Sequence, residues 1–240
     1  MKGGKIAILK WESGFVPMGL MQLESLTGNS TNIDSYPFDV KFQEIEGANI
    51  ETILLNPSQV ILNRMIDVSK EMIKNEGVNA ISTSCGFNAI FQKQLAKELT
   101  VPVFSSALLQ VPMVCNMIGT DKTVGIITAN KESLTKEHLS ECGVTDEMNY
   151  VVKGLEDYHE WSKIFNNPNE KFNMEVVKNE ILDAAKNLYE SNPELGAIVL
   201  ECTDLPPFAD FIREETGLPV FDFNSLAVYV ALGVGAFKAY

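Results

Sequence analysis

The sequence predicts an α/β fold of two pseudo-symmetric lobes, each a parallel sheet flanked by helices, facing each other across a cleft. Three observations predict it. Short β-rich runs alternate with helical patterns along the whole chain. Those runs are almost continuously apolar, as strands covered on both faces must be. The second half of the chain also repeats the first, residue on residue, at one fixed offset.

Taken in order, the strands are expected at residues 5–10, 39–45, 79–84, 101–104, 123–128, 150–152, 197–200 and 218–221. Asn56-Pro57 reads as an N-cap followed by proline at the first helical position, opening a helix that closes at Gly77. Over residues 171–189, Phe172, Val176, Val177, Ile181, Ala184 and Leu188 keep a helical period with one buried face. Gly143 and Gly217 stand where glycines end helices. Asn166-Asn167-Pro168-Asn169 is a turn rather than a domain boundary, and Met18 and Met21 are expected in the core. Gly233 and Gly235 lack a preceding strand, so close helix packing, not dinucleotide binding, is expected there.

A shift of 117 residues lays Ala80-Ile81 on Ala197-Ile198, Cys85 on Cys202 and Phe91 on Phe208. The same shift lays Pro102-Val103-Phe104 on Pro219-Val220-Phe221. A duplicated α/β lobe explains this, and such lobes put ligands at the carboxyl ends of their strands. Each lobe therefore offers one thiol, where a strand ends and a helix begins, toward a shared cleft. A helix N-terminus would lower the thiol pKa. Two opposed thiols suit removing a proton from one face of a carbon and returning one to the other.

Composition bounds the partners. Over 240 residues, 19 Lys and Arg against 32 Asp and Glu leave a formal charge of −13, which disfavours nucleic acid and anionic membranes. Cys85, Cys115, Cys142 and Cys202 are widely spaced, with Cys115 and Cys142 expected as buried or half-buried helix residues. His138 and His159 lie in polar helical segments and are expected at the surface; with no other histidine, no metal site is expected. The apolar run at residues 6–9 is too short for a signal-peptide core, and the one at 226–237 too short for a membrane span. A cytoplasmic protein with reduced thiols is the expectation.

Thr83-Ser84-Cys85-Gly86-Phe87-Asn88-Ala89 and Leu200-Glu201-Cys202-Thr203-Asp204 resemble the two active-site segments of the aspartate/glutamate racemase superfamily, which includes hydantoin racemases, maleate isomerases and arylmalonate decarboxylases. The resemblance covers nearly the whole chain. It implies a cofactor-independent racemase or epimerase acting on an amino acid or derivative, with Cys85 and Cys202 as acid and base. Its alternatives are a maleate-type cis–trans isomerase or a non-catalytic small-molecule binding protein. The implied substrate is a small molecule with an acidic α-carbon. The implied contacts are Ser84, Gly86, Phe87, Asn88, Thr203 and Asp204, with Ser13 from a segment, Glu12-Ser13-Gly14, like one in the glutamate racemases. Ser13 reads equally as a helix cap. Trp11 and Phe87 would wall the pocket.

The resemblance also implies that the helix after each lobe's fourth strand packs on the other lobe. The lobes would then comprise residues 1–104 with 224–240, and residues 105–223; a homodimer is suggested by the family alone. Arg64 and Arg213, the only arginines, fall inside helices away from the strand ends. Backbone N–H groups around Gly86, Thr203 and the Ser105-Ser106 turn would have to hold a carboxylate. A neutral or less charged substrate than aspartate or glutamate is expected.

Overall fold

A computed structural model describes residues 4–237. β1 (Ile6–Lys10), β2 (Val40–Glu44), β3 (Ala80–Thr83) and β4 (Val103–Phe104) form one parallel sheet in the order β2-β1-β3-β4. β5 (Thr123–Thr128), β6 (Tyr150–Gly154), β7 (Leu195–Leu200) and β8 (Val220–Phe221) repeat that order as β6-β5-β7-β8, also parallel. The offset of 117 residues thus relates two sheets of one topology. The helices are α1 (Met18–Glu24), α2 (Gln59–Glu76), α3 (Gln92–Glu98), α4 (Val111–Ile118), α5 (Lys136–Glu141), α6 (Lys163–Asn166), α7 (Met174–Glu190), α8 (Ala209–Thr216) and α9 (Phe223–Gly233).

The central strands are apolar because both of their faces are covered. Along β1, Ala7 and Leu9 point into a core that continues through both lobes, while Ile6 and Ile8 meet Phe104, Phe223, Leu226 and Ala231 on the opposite face. That second face is covered by α9, whose Phe223 stacks on Phe104 with ring centroids 5.9 Å apart. The cap that starts α9 is strong: Asp222 accepts from the Ser225 N–H, and Ser225 Oγ accepts from the Asp222 N–H. In return α4, which follows β4, packs on β5 and β7. Each sheet therefore carries the helix that follows the other sheet's last strand.

Several local expectations are corrected. Asn56 ends a π-helical turn, Ile50–Leu55, that Asn49 and Thr52 cap, and α2 starts later, behind Ser58. Pro57 thus separates two helices rather than opening one. Gly77 does close α2, at φ +69°. Met21 is 53% exposed and Val176 39% exposed, because each faces outward from its helix. A side chain at Gly233 or Gly235 would meet nothing within 4 Å, so these glycines do not mediate packing; Gly235 takes φ +71° just beyond α9. His159 is exposed, but His138 is buried, its ring edge-on to Phe87 at 5.6 Å. Its Nδ1 accepts from the Thr135 N–H, and burial pushes its pKa down to about 4.

Candidate active site

The loops that leave the carboxyl ends of β1, β2, β3, β5, β6 and β7 converge on one cleft between the sheets, about 580 Å³ including its open mouth. The first lobe contributes Trp11, Glu24 at the end of α1, Ile50 and Leu54 of the π-helical turn, and Ser84 to Phe87. The second contributes Ala129, Trp161, Ile164, Phe165, and Cys202 to Asp204. Among the described residues no Lys, Arg or His lines it. None of the clusters of His, Cys, Asp and Glu is arranged to hold a metal ion, within the same limits.

Cys85 and Cys202 end corresponding strands and reach this cleft from opposite lobes, 9% and 8% exposed. Their two segments are tied directly: Thr203 Oγ1 donates to the Ser84 carbonyl at 2.5 Å. Cys202 Sγ donates to Asp204 Oδ2 at 3.8 Å, and Asn29 Nδ2 donates to Asp204 Oδ1 at 2.7 Å. Asn29 is held in turn by its Oδ1, which accepts from the N–H and hydroxyl of Thr31.

The thiols are not acidified as the sequence suggested. Burial pushes both well above the ordinary range, and Glu201 and Asp204 add to it. The N–H groups of Phe87 and Asn88 at Cys85, and of Asp204 at Cys202, oppose this only in part. The helix-terminus effect that would offset burial is missing because of the geometry downstream of each cysteine. The chain enters 3-10 turns, Gly86–Phe91 and Pro206–Phe208, and the α-helices start only at Gln92 and Ala209. No α-helical dipole ends on either sulfur.

Two carboxyls share this environment. Burial raises Asp204 to about 7 despite the Asn29 bond, with Glu24 adding repulsion. Burial raises Glu201 to about 7 as well; its Oε2 accepts from Thr128 Oγ1 at 2.7 Å, and its Oε1 has no partner. Glu201 lies against Gly86 so closely that a Cβ there would collide with its carbonyl and carboxyl oxygens. Gly86 is therefore a packing requirement of the site as well as part of its wall.

Of the residues singled out by sequence, Ser84, Cys85, Gly86, Phe87, Cys202, Thr203 and Asp204 meet at the cleft. Asn88 and Ser13 do not. Asn88 is buried beneath the turn with its Oδ1 unpartnered, and Ser13 is exposed, hydrogen-bonded to Glu44. The Ser105-Ser106 turn is also closed to ligand, since its Ser105 N–H and hydroxyl both donate to Gln92 Oε1. Cys142 is buried behind α5, Cys115 half-buried in α4, and Arg64 and Arg213 bond to Glu46 and Asp210 away from the cleft.

Sequence reasoning missed Glu24, Asn29, Trp161, Phe165 and the role of Glu201. Glu201 did carry a signal: an acid between Leu200 and Cys202, where the first repeat has Ser84, interrupts an apolar strand end. Trp161, fully buried with Nε1 donating to the Ala129 carbonyl, stood in a polar stretch that gave no strand or helix period.

The fold is that of the aspartate/glutamate racemase superfamily. An allantoin racemase from Pseudomonas fluorescens superposes with TM-score 0.64 at 16% identity, covering 98% of this chain and 94% of that one. A glutamate racemase from Bacillus anthracis gives 0.57 at 14%, covering 99% and 86%. Unliganded arylmalonate decarboxylase gives 0.55 at 13%, covering 98% and 94%. No protein-family model matches the chain. Sequence relatives are of another kind. A dimethylsulfoniopropionate lyase from Durusdinium sp. clade D is 33% identical over 85% of this chain and 70% of its own. Dimethylsulfoniopropionate lyase 3 from Emiliania huxleyi (strain CCMP1516) is 31% identical over 81% of this chain, which spans about half of that protein (52%).

These relatives overturn the expectation of an amino acid racemase or other isomerase. Likeness to racemases extends to the fold alone, at 16% identity or less in these comparisons. The racemase expectation rested on the paired cysteine segments, and those segments do not specify which reaction the site carries out. With a third of the aligned residues identical over 85% of this chain and 70% of the Durusdinium protein, the protein belongs to the family of the dimethylsulfoniopropionate lyases.

Proposed function

We propose that the protein is a lyase that cleaves the C–S bond of a small sulfonium carboxylate of the dimethylsulfoniopropionate class. The observation that carries this reading is the lining of the cleft. Two thiols and two carboxylates stand among the aromatic rings of Trp11, Phe87, Trp161 and Phe165, with no basic side chain among the described lining residues. Such a wall repels a plain dicarboxylate and favours a cation, which aromatic faces and carboxylates both attract.

The chemistry follows from the groups present. A thiolate of Cys85 or Cys202 takes a proton from the carbon next to the substrate carboxylate. The C–H electron pair becomes the new C=C bond, and the C–S pair leaves with the neutral sulfide. Dimethylsulfoniopropionate thus gives dimethyl sulfide, acrylate and one proton, which the thiol retains until it passes to solvent. The cation itself favours this step. Both thiols are held up by burial and by nearby carboxylates, and a positive charge in the cleft offsets those carboxylates. The Gly86 backbone on the cleft wall is the candidate to receive the charge that grows on the substrate carboxylate.

Purified protein with dimethylsulfoniopropionate should release dimethyl sulfide into the headspace and give acrylate by proton NMR. A positioned base contributes about 10²–10⁴-fold, so Cys85→Ser or Cys202→Ser, whichever removes the base, should slow release by at least about 10²-fold with an unchanged circular dichroism spectrum. Absence of sulfide from the wild-type protein at millimolar substrate would overturn the lyase reading. Unimpaired release from both serine variants would overturn the thiol base.

A further inference from the structure

Within the cleft one carboxylate has no task in the chemistry above. Glu24 closes α1, is half-buried and lines the cavity, and among the described residues it forms no ion pair. The nearest cation to act on it, Lys10, is engaged by Glu44 at 3.5 Å and does not line the cavity. Asp204 differs, since Asn29 and Cys202 occupy its oxygens. Glu24 repels Asp204, and no basic side chain among the described lining residues offsets the two carboxyls.

The neighbours of Glu24 complete a pattern. α1 packs on α6, whose Phe165 lines the same cavity, and Trp161, also in the lining, stands one turn earlier on that segment. Trp161 cannot swing away, being fully buried and pinned by its bond to Ala129. A carboxylate beside fixed aromatic rings attracts an alkylated onium group in two ways. The rings take its methyl groups and face its charge, and the carboxylate supplies the counter-charge. Also on the cleft lining, the unpartnered buried Nε1–H of Trp11 suits the carboxylate end of a zwitterion.

Building on the lyase reading, we propose that Glu24, beside Trp161 and Phe165, is the residue that selects the positively charged onium head of the substrate. It does so by binding and takes no part in proton transfer.

The test separates this from catalysis. Calorimetric affinities at pH 8 are compared for 3-(trimethylammonio)propanoate and for 4,4-dimethylpentanoate, which has the same shape without the cationic charge. The wild-type protein should prefer the onium at least tenfold. Glu24→Gln should reduce that preference by about tenfold, with the affinity of 4,4-dimethylpentanoate, which lacks the cationic head, changed less than twofold, and Glu24→Asp should restore most of it. In turnover Glu24→Gln should raise KM for dimethylsulfoniopropionate with kcat within about threefold. An onium preference unchanged by Glu24→Gln, or an equal loss for both ligands, overturns the assignment even if sulfide is released normally. An onium preference that depends on Glu24 in a protein that releases no sulfide supports the assignment and removes only the lyase reading.

Discussion

Glu201 offers the cleanest physical test of the site's electrostatics. Its carboxyl is fully buried beside Gly86 with one oxygen bonded to Thr128 and the other unpartnered, and burial raises its pKa from 4.5 to about 7. The folded protein therefore holds this proton more tightly than the unfolded chain does. Between about pH 4.5 and 7 the unfolded carboxyl is ionised and the folded one is not, so stability present at the acid end is lost as pH rises, and stays lost above 7. At about 1.36 kcal/mol per pH unit that window amounts to about 3 kcal/mol, of which about 2.5 kcal/mol falls between pH 5 and pH 8. Glu201→Gln keeps the shape and an oxygen for Thr128 while removing the ionisation. Whatever the variant costs or gains at pH 5, it should be about 2.5 kcal/mol better relative to wild type at pH 8, a differential Tm shift of roughly 5–10 °C. Urea unfolding followed by tryptophan fluorescence at the two pH values measures it. Equal effects of the substitution at pH 5 and pH 8 would refute the reasoning, because the carboxyl would then not be carrying a buried charge.

Gly86→Ala should fail through sterics rather than chemistry. The added methyl meets the Glu201 carbonyl and carboxyl oxygens, and overpacking of this kind costs about 1–3 kcal/mol. Thermal unfolding should show a loss of several degrees, and pairing it with Glu201→Ala should recover part of it; an unchanged Tm in the single variant counts against the close contact. Ser13→Ala should leave KM for dimethylsulfoniopropionate within twofold, because Ser13 is exposed and bonded to Glu44 outside the cleft. A tenfold rise in KM would show that the Glu12-Ser13-Gly14 segment reaches substrate after all.

The fold was readable because its signals are redundant. Eight apolar runs separated by helical punctuation mark every strand to within two or three residues, and the 117-residue repeat marks the pairing of lobes. What the sequence hid was set by tertiary burial. His138 lies in a polar stretch, Thr135 to Glu141, yet is covered by Phe87 and the loop before α5, so local hydropathy misplaced it. The thiols misled for the same reason: a cysteine before a helical pattern suggests a dipole, but burial of each thiol, with Glu201 and Asp204 adding to it, reverses the sign, and the intervening 3-10 turns leave no α-helical dipole to oppose it. Glu24 is the last residue of a short helix with no motif around it, and only the closing of α1 against α6 makes it part of a wall.

The misread reaction has a structural lesson of its own. Racemisation and β-elimination share their first event, loss of a proton from the carbon beside a carboxylate. A site built for that event has the same marks in either case: opposed thiols, N–H groups near the developing charge, and a cavity that excludes water. They diverge at the next atom along the substrate. A racemase must return the proton before anything else departs, whereas an elimination needs a leaving group whose departure is faster than reprotonation. A sulfonium supplies that property itself, since it leaves as a neutral sulfide and its positive charge already acidifies the neighbouring C–H. The protein then has to seat the cation rather than activate it. On the lyase reading, the residues that would carry that burden are the aromatic and acidic ones lining the cleft, Trp161, Phe165, Glu24 and Asp204, which lie outside the paired cysteine segments except for Asp204. On the lyase reading proposed above, the cysteine words accompany the fold, and the wall that faces the leaving group is what would set the reaction.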